Sequence, residues 1–206
     1  MAARQNLPAY CFRASSPLWS LAATLRAVQG QTLSIFGFGS IGTELAKRAL
    51  AFDMKVMTMT RQSSVFVDGV ETTDSLEALF AKADHLVLAA PATIETDNIV
   101  NTKTLSYLKQ DAHLVNIARG SLVDENDLKL ALDSGKLARA SLDAVQTEPL
   151  PADHWIYGHE KVFLSPHLAW CDMRVIDAIS TSFLDNLVLF AKQEPLNNVV
   201  DKEAGY

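Results

Sequence analysis

The feature that most constrains the fold is a glycine-rich turn between two apolar runs, in the stretch TLSIFGFGSIGTELAKRALAFDMKVMTM (residues 32–59). An apolar strand pattern leads into Gly37, Gly39 and Gly42, which have G-x-G-x-x-G spacing. An amphipathic helix pattern and a second strand pattern follow. A glycine triplet by itself is a weak signal, but one that follows a strand and opens a helix predicts the first βαβ unit of a nucleotide-binding sheet.

Each position of the triplet has its own physical role in such a unit. Gly37 would make the tight turn, Gly39 would let the backbone approach a pyrophosphate, and Gly42 would let the helix pack closely on the strand. The backbone amides of Ser40 and Ile41 would then face the phosphates at the N-terminus of the helix. The alternative is a glycine turn without a ligand, which this context disfavours.

Strand and helix patterns alternate along the rest of the chain, as is typical of βαβ units and a parallel sheet. The strand patterns are nearly continuous apolar runs, which indicates strands covered on both faces. We expect strands at residues 32–36, 55–59, 85–90, 112–117, 138–144 and 161–165, and helices at residues 18–29, 40–52, 74–83, 101–109, 124–134 and 172–192. The predicted fold class is therefore α/β, a Rossmann-type doubly wound parallel sheet.

The end of the second strand indicates which dinucleotide is bound. Units that bind NAD(H) place an Asp or Glu there, where it bonds the ribose 2′-hydroxyl. Here the positions are Thr60, Arg61 and Ser63, and no acid occurs between Asp53 and Asp68. A carboxylate would repel a 2′-phosphate, whereas a guanidinium and hydroxyl groups would bind one. This pattern favours NADP(H) and leaves NAD(H) possible; the alternative for Arg61 is a solvated surface charge.

Polar residues also follow three of the later strands. Arg119 comes directly after one strand, Asp143 and Glu148 come at and beyond the end of the next, and His167 follows another. Open α/β sheets bind ligands at the carboxyl ends of their strands. Each residue alone could be an ordinary surface or loop residue. An arginine, a glutamate and a histidine at matching strand ends together indicate a catalytic edge.

Five stretches carry a resemblance to a known family: GFGSIG, AAPATIETDNIVN, NIARGSLVDENDL, SLDAVQTEP and SPHLAW. They occur in the order and at the spacings of the D-isomer-specific 2-hydroxyacid dehydrogenases, which the chain resembles from about residue 18 to residue 201. Within that family the pattern is most similar to glyoxylate/hydroxypyruvate reductases. The resemblance implies an oxidoreductase that uses NADP(H) or NAD(H) to interconvert a small 2-keto acid and its D-2-hydroxy acid.

The resemblance also implies roles for individual residues. Arg119 would bind the carboxylate and carbonyl of the substrate, His167 would be the acid/base, and Glu148 would pair with His167. Asp143 would bond the nicotinamide carboxamide. These roles are chemically consistent, because histidine transfers protons near neutral pH and arginine binds carboxylates bidentately. The further cofactor-binding positions within the matching stretches are Pro91, Thr96 and Ala118.

The chain departs from the family at its start. Family members carry a substrate domain whose first segment precedes the nucleotide domain. We expect residues 1–31 to form an N-terminal segment with a lead-in helix, residues 32–171 the dinucleotide-binding domain, and residues 172–206 a helix and tail that return to a substrate domain whose N-terminal part is largely missing. A cleft open on one side predicts poor turnover, because hydride transfer needs an enclosed and oriented substrate.

Two hypotheses about function therefore stay open. One is a 2-keto acid reductase, whole or shortened, and the other is a non-catalytic nucleotide-binding module or interaction scaffold derived from the same family. A methyltransferase that uses the glycine turn for S-adenosylmethionine is disfavoured by the later stretches. The exposed apolar stripe expected for helix 172–192 predicts a homodimer.

Charge and composition limit the other partners. The formal net charge is −6, so attraction to nucleic acid or to an anionic membrane is not expected. No apolar run approaches the roughly 20 residues that a membrane-spanning helix needs. His154 and His159 lack an accompanying ligand pattern, so we expect no metal site. We expect a cytoplasmic protein, although the arginines and serines of residues 1–16 leave organellar targeting open.

The first testable prediction concerns Arg61. We expect the chain to bind NADPH more tightly than NADH, and Arg61→Ala to weaken NADPH binding selectively by roughly 1.5 to 3 kcal/mol, because charge-assisted bonds to the 2′-phosphate are lost. Fluorescence titration with both cofactors measures the effect. An equal loss of affinity for NADPH and NADH would remove Arg61 from the 2′-phosphate site.

Overall fold

The computed structural model describes residues 27–59 and 67–202 of the 206-residue chain. Most of the predicted lead-in helix, and the predicted 2′-phosphate residues Thr60, Arg61 and Ser63, lie outside the described residues. The chain divides into two compact units, residues 1–166 and residues 167–206. The domain boundary placed after residue 171 stays a prediction.

The first unit is built on a seven-stranded sheet with the strand order β3-β2-β1-β4-β5-β6-β7. Every neighbouring pair of strands is parallel. The strands are β1 (Thr32–Phe36), β2 (Lys55–Met59), β3 (Val70–Thr72), β4 (His85–Leu88), β5 (Ala112–Asn116), β6 (Leu137–Leu142) and β7 (Val162–Leu164). The predicted Rossmann-type parallel sheet is confirmed.

One strand was not predicted from the sequence. β3 has only three residues, Val-Glu-Thr, and two of them are exposed. It pairs on one side with β2 and forms the edge of the sheet. A strand this short and this polar leaves no apolar run, so the pattern that marked the other six strands is missing here.

Among the described residues, four α-helices belong to the first unit and one to the second. They are α1 (Ser40–Ala51), α2 (Leu76–Lys82), α3 (Thr102–Tyr107), α4 (Glu125–Asp133) and α5 (Met173–Ala191). Short polar side chains cap every one of these helices except α1: Ser75, for example, accepts from the backbone amide of Ala78, and Asp124 accepts from the amides of Asn126 and Asp127. These bonds satisfy amides that have no partner within the helix. None of the described helices is long and apolar enough to cross a membrane.

The helices cover both faces of the sheet, as the apolar strand patterns predict. On β1, Ile35 packs into a cluster with Ala46 and Ala49 of α1. The next residue, Phe36, faces the opposite cluster, which α2, α3 and α4 help to form. Successive strand residues point to opposite faces, so a strand buried on both sides must be apolar at nearly every position.

The reversal of strand order creates a crevice beside β1. The chain leaves β1 to form α1 and β2 on one side of it, and later returns on the other side as β4. In doubly wound sheets this reversal of strand order is where ligands bind, outside the carboxyl ends of the strands. The glycine turn after β1 and the loop after β4 border this crevice.

A hydrogen-bonded row of polar side chains crosses four neighbouring strands or their starts. Gln31 Oε1 accepts from His85 Nε2 at 2.8 Å, the Nδ1 atoms of His85 and His113 are 3.4 Å apart, and His113 Nε2 is 2.9 Å from Ser141 Oγ. One assignment of protons satisfies the whole row: Ser141 donates to His113, His113 donates to His85, and His85 donates to Gln31. In that assignment both histidines are neutral.

Burial keeps His113 neutral in the folded chain. It lowers the pKa of His113 to about 4, and repulsion from Arg139 and from a protonated His85 acts in the same direction. Burial also lowers the pKa of His85, against the attraction of Asp84. If both histidines were protonated, both Nδ1 atoms would carry a proton, and neither could accept the hydrogen bond between them.

The second testable prediction follows from His113. Its folded pKa lies below its ordinary value of 6.5, so its contribution to stability is present above pH 6.5 and is lost as the pH falls toward 4. We expect the free energy of unfolding to drop by about 2 kcal/mol between pH 7 and pH 5 from this group, measured by urea denaturation. His113→Gln should flatten this part of the curve. The same pH dependence in parent and variant would contradict the assignment.

Candidate functional site

Two of the three glycines after β1, Gly37 and Gly42, lie where neighbouring atoms leave no room for a Cβ, whereas Gly39 does not. Gly37 has φ 97°, and a Cβ there would lie 2.5 Å from the backbone nitrogen of Ala90. A Cβ on Gly42 would lie 2.5 Å from the carbonyl oxygen of Gly37. A Cβ on Gly39 would meet nothing within 4 Å. The protein itself therefore has no steric need for Gly39, and the open space beside it fits a ligand that approaches the backbone.

The N-terminus of α1 faces the same turn. Gly39 is the N-cap and contributes no side-chain hydrogen bond, and the first turn of the helix holds no acidic residue. The amides of Ser40 and Ile41 have no acceptor within the helix. Unsatisfied amides and the positive end of the helix dipole together favour an anion such as a phosphate. The residues present therefore fit the pyrophosphate of a dinucleotide.

The loop after β4 forms the second side of the crevice. Thr96 is buried, and its hydroxyl donates to the carbonyl oxygen of Pro91 at 2.8 Å and accepts from the amide of Thr93 at 2.8 Å. These bonds close the loop on itself. Thr96 thus supports the shape of the loop that carries Pro91, and a direct contact of either residue with a cofactor stays a prediction.

Arg119 lies at the turn after β5, which we call the Arg119 turn (residues 117–122). Asn116 organises this turn: its side-chain amide donates to the carbonyl oxygen of Arg119 at 2.8 Å, and its side-chain oxygen accepts from the amide of Ala118 at 3.0 Å. The guanidinium of Arg119 donates to the carbonyl oxygen of Ala118 at 2.7 Å. Arg119 is exposed, and a guanidinium has five N–H donors, so further donors remain for a carboxylate.

Asp143 and Glu148 lie in the next strand-end loop, which we call the Glu148 loop (residues 143–148). Asp143 is buried, its amide donates to the carbonyl oxygen of Asn116 at 2.9 Å, and its carboxylate accepts a short hydrogen bond from Ser165. Glu148 is exposed and accepts from the amide of Val145 at 3.0 Å. Asn116 and Ser165 are supporting residues that sequence reasoning missed.

The first unit thus places most of the predicted residues along one edge of the sheet. β1, β4, β5 and β6 are consecutive neighbours in the sheet. The glycine turn, the loop with Pro91, the Arg119 turn and the Glu148 loop follow these strands in the same order. Such an edge can bind a dinucleotide at one end and a carboxylate at the other.

His167 belongs to the second unit, which begins at that residue. It is partly buried and has φ 53°, a left-handed backbone conformation that is uncommon for residues other than glycine. Its pairing with Glu148 stays a prediction, and so does its role as the acid/base. Within residues 27–59 and 67–202, no three His, Cys, Asp or Glu side chains cluster in a way that could hold a metal ion.

Comparison with known proteins agrees with this geometry. Residues 2–169 match the family model described as D-isomer specific 2-hydroxyacid dehydrogenase, NAD binding domain. The chain is 34% identical over 178 residues to a glyoxylate reductase of Pyrococcus horikoshii, an alignment that covers 85% of this chain and 53% of the relative. It is 32% identical over 199 residues to a hydroxypyruvate reductase of Blautia hydrogenotrophica, covering 96% of this chain and 59% of the relative.

Solved structures show the same similarity. The NADPH-dependent glyoxylate/hydroxypyruvate reductase of Sinorhizobium meliloti, in complex with NADP and sulfate, superposes with a TM-score of 0.84 at 31% identity, covering 91% of this chain and 60% of that one. A D-isomer specific 2-hydroxyacid dehydrogenase of Xanthobacter autotrophicus, in complex with NADPH, gives a TM-score of 0.82 at 29% identity and covers 88% of this chain and 75% of that one. The chain spans a little more than half the length of the curated relatives named above.

Proposed function

We propose that this chain, which belongs to the D-isomer specific 2-hydroxyacid dehydrogenase family, is an NADP(H)-dependent oxidoreductase that interconverts a small 2-keto acid and its D-2-hydroxy acid. The substrate class we propose is that of glyoxylate and hydroxypyruvate, on which the similar reductases are named to act. The observation that carries the proposal is the single sheet edge that joins an open, glycine-lined helix N-terminus to an exposed arginine.

The proposed chemistry divides between cofactor and protein. The nicotinamide supplies or accepts the hydride, and the chain supplies position and charge. Arg119 binds the carboxylate of the substrate and stabilises the charge that develops on its carbonyl oxygen, because a guanidinium can donate two parallel hydrogen bonds. His167 delivers the proton to that oxygen, and Glu148 orients the imidazole. Asp143, whose carboxylate accepts from Ser165, would accept from the carboxamide of the nicotinamide.

The preference for NADP(H) is supported by the sequence after β2 and by the relatives. No acid follows β2 before Asp68, so nothing there would repel a 2′-phosphate, and Arg61 would attract it. Two structurally similar proteins were solved with NADP or NADPH. NAD(H) remains the alternative cofactor, and the titrations of the Arg61 variant distinguish the two.

A second candidate is a non-catalytic nucleotide-binding module of the same family. Such a module would bind NADP(H) through the glycine turn but would not turn over a keto acid.

We further propose a cytoplasmic location, where NADPH and small keto acids are available.

The third testable prediction concerns catalysis. We expect slow but measurable oxidation of NADPH when glyoxylate or hydroxypyruvate is added, followed by absorbance. His167→Ala should lower turnover by at least about 100-fold, because the proton donor is lost, while leaving NADPH affinity unchanged. His159→Ala is the matched control, since His159 pairs with Asp133 just before β7, at the amino end of the strands and away from the edge that carries Arg119. A parent chain without turnover that still binds NADPH would favour the non-catalytic module.

The fourth testable prediction concerns assembly, and it starts from an apolar stripe on α5. Side chains at helical spacing are between 52% and 71% exposed: Ile176, Ile179, Phe183, Leu187 and Phe190. We propose that a second copy of the chain covers this stripe, because a contiguous apolar surface of this size favours association. Light scattering should show a dimer. Phe183→Glu should shift it toward monomer, and Thr181→Glu, off the stripe, should not. A monomeric parent at about 50 µM would contradict the proposal.

A further inference from the structure

The Glu148 loop lies directly against the Arg119 turn. A Cβ on Gly120 would lie 1.9 Å from the carbonyl carbon of Val145 and 2.4 Å from the backbone nitrogen of Gln146. The peptide group between Val145 and Gln146 therefore rests on the backbone of Gly120, at a distance that no side chain allows. The two loops that carry the proposed substrate-binding and acid/base-orienting residues are thus in backbone contact.

A reciprocal pair of hydrogen bonds holds the other side of the same peptide group. The amide of Gln146 donates to Glu125 Oε1 at 2.8 Å, and the side chain of Gln146 donates back to the carbonyl oxygen of Val123 at 2.8 Å. Glu125 is the first residue of α4, and Val123 lies between the Arg119 turn and that helix. We call Glu125, Gln146 and these two bonds the loop clamp.

The buried carboxyl group of Glu125 is not explained by stability alone, because burying it is energetically unfavourable. Glu125 is 8% exposed, and its second oxygen lies 3.4 Å from His154 Nε2. Burying a carboxyl group removes its hydration, which its hydrogen bonds and the dipole of α4 must offset. An apolar side chain would fill the same space, but it could not bind the amide of Gln146. The directed bond is what the carboxylate adds.

We propose that Glu125 and Gln146 are positioning residues, which fix the Glu148 loop relative to the Arg119 turn and so set the position of the Glu148 carboxylate. The inference rests on the proposed function of Arg119 and Glu148. The loop clamp and Gly120 hold the peptide group between Val145 and Gln146 from both sides. The amide of Val145, one residue earlier, binds Glu148 Oε1 at 3.0 Å. Few free torsions therefore separate the clamp from the Glu148 carboxylate.

Amide hydrogen exchange tests the clamp without any need for activity. Glu125→Ala and Gln146→Ala should speed exchange at the amides of Val145 and Gln146 at least about tenfold, because local opening becomes easier. Glu125→Gln should behave like the parent, since it keeps an acceptor for the amide of Gln146. Gln110→Ala is the matched control, because it removes a similar exposed bond, from Gln110 to the carbonyl oxygen of Gly135 at 3.0 Å.

Kinetics then test whether the clamp positions the catalytic group. With turnover normalised to the NADPH-bound fraction, Glu125→Ala and Gln146→Ala should lower kcat about tenfold and change the pH–rate profile, since small misplacements of a catalytic group reduce rate steeply. Glu125→Gln should restore both, and NADPH affinity should stay constant. A purely structural role would lower the melting temperature and leave the normalised kcat and pH profile unchanged.

Four outcomes would overturn the positioning role: unchanged exchange at Val145 and Gln146, an unchanged normalised kcat and pH profile in Glu125→Ala and Gln146→Ala, failure of Glu125→Gln to restore kcat, or an equal loss of kcat in Gln110→Ala. A parent chain with no turnover, but with the expected exchange pattern, would instead overturn the proposed function. The catalytic role of the clamp would then fall with it, while the clamp itself would be confirmed.

Discussion

The parallel pairing of β1, β4, β5 and β6 is the constraint on which the rest of the site depends. All of these neighbouring pairs are parallel, so the carboxyl ends of the four strands must lie on one edge of the sheet. Loops that are far apart in sequence therefore become neighbours. The reversal of strand order beside β1 then opens a crevice at that edge, next to the N-terminus of α1.

Side chains for which the sequence predicted no role fix the conformation of the loops along this edge. Asn116, fully buried, binds backbone groups of the Arg119 turn, and its own carbonyl oxygen accepts from the amide of Asp143. Ser165 at the end of the neighbouring strand binds the carboxylate of Asp143. A buried amide left without these partners would cost about 1–3 kcal/mol, so each bond favours one arrangement of the loops.

Much of the fold and part of the site could be predicted from the sequence. Six strands were marked by apolar runs, whereas β3 was missed because it is short and polar. The positions of Arg119, Asp143 and Glu148 at strand ends followed from the alternating pattern. The need for Gly120, by contrast, could not be predicted, because it arises from contact with Val145, twenty-five residues later. Arg61 lies outside the described residues, and the pairing of Glu148 with His167 stays a prediction.

The sequence by itself determined the fold class, the family and the residue types available for chemistry, because hydrophobic periodicity and glycine spacing are local properties. The tertiary structure decided which of those residues support one another. Folding leaves an open space beside Gly39. It also brings together segments that are distant in the sequence, through the contact of Gly120 with Val145 and the bonds of Gln146 to Glu125 and Val123. Such contacts depend on the register and packing of strands, which are set by the summed interactions of the whole sheet and leave no periodic trace in the sequence.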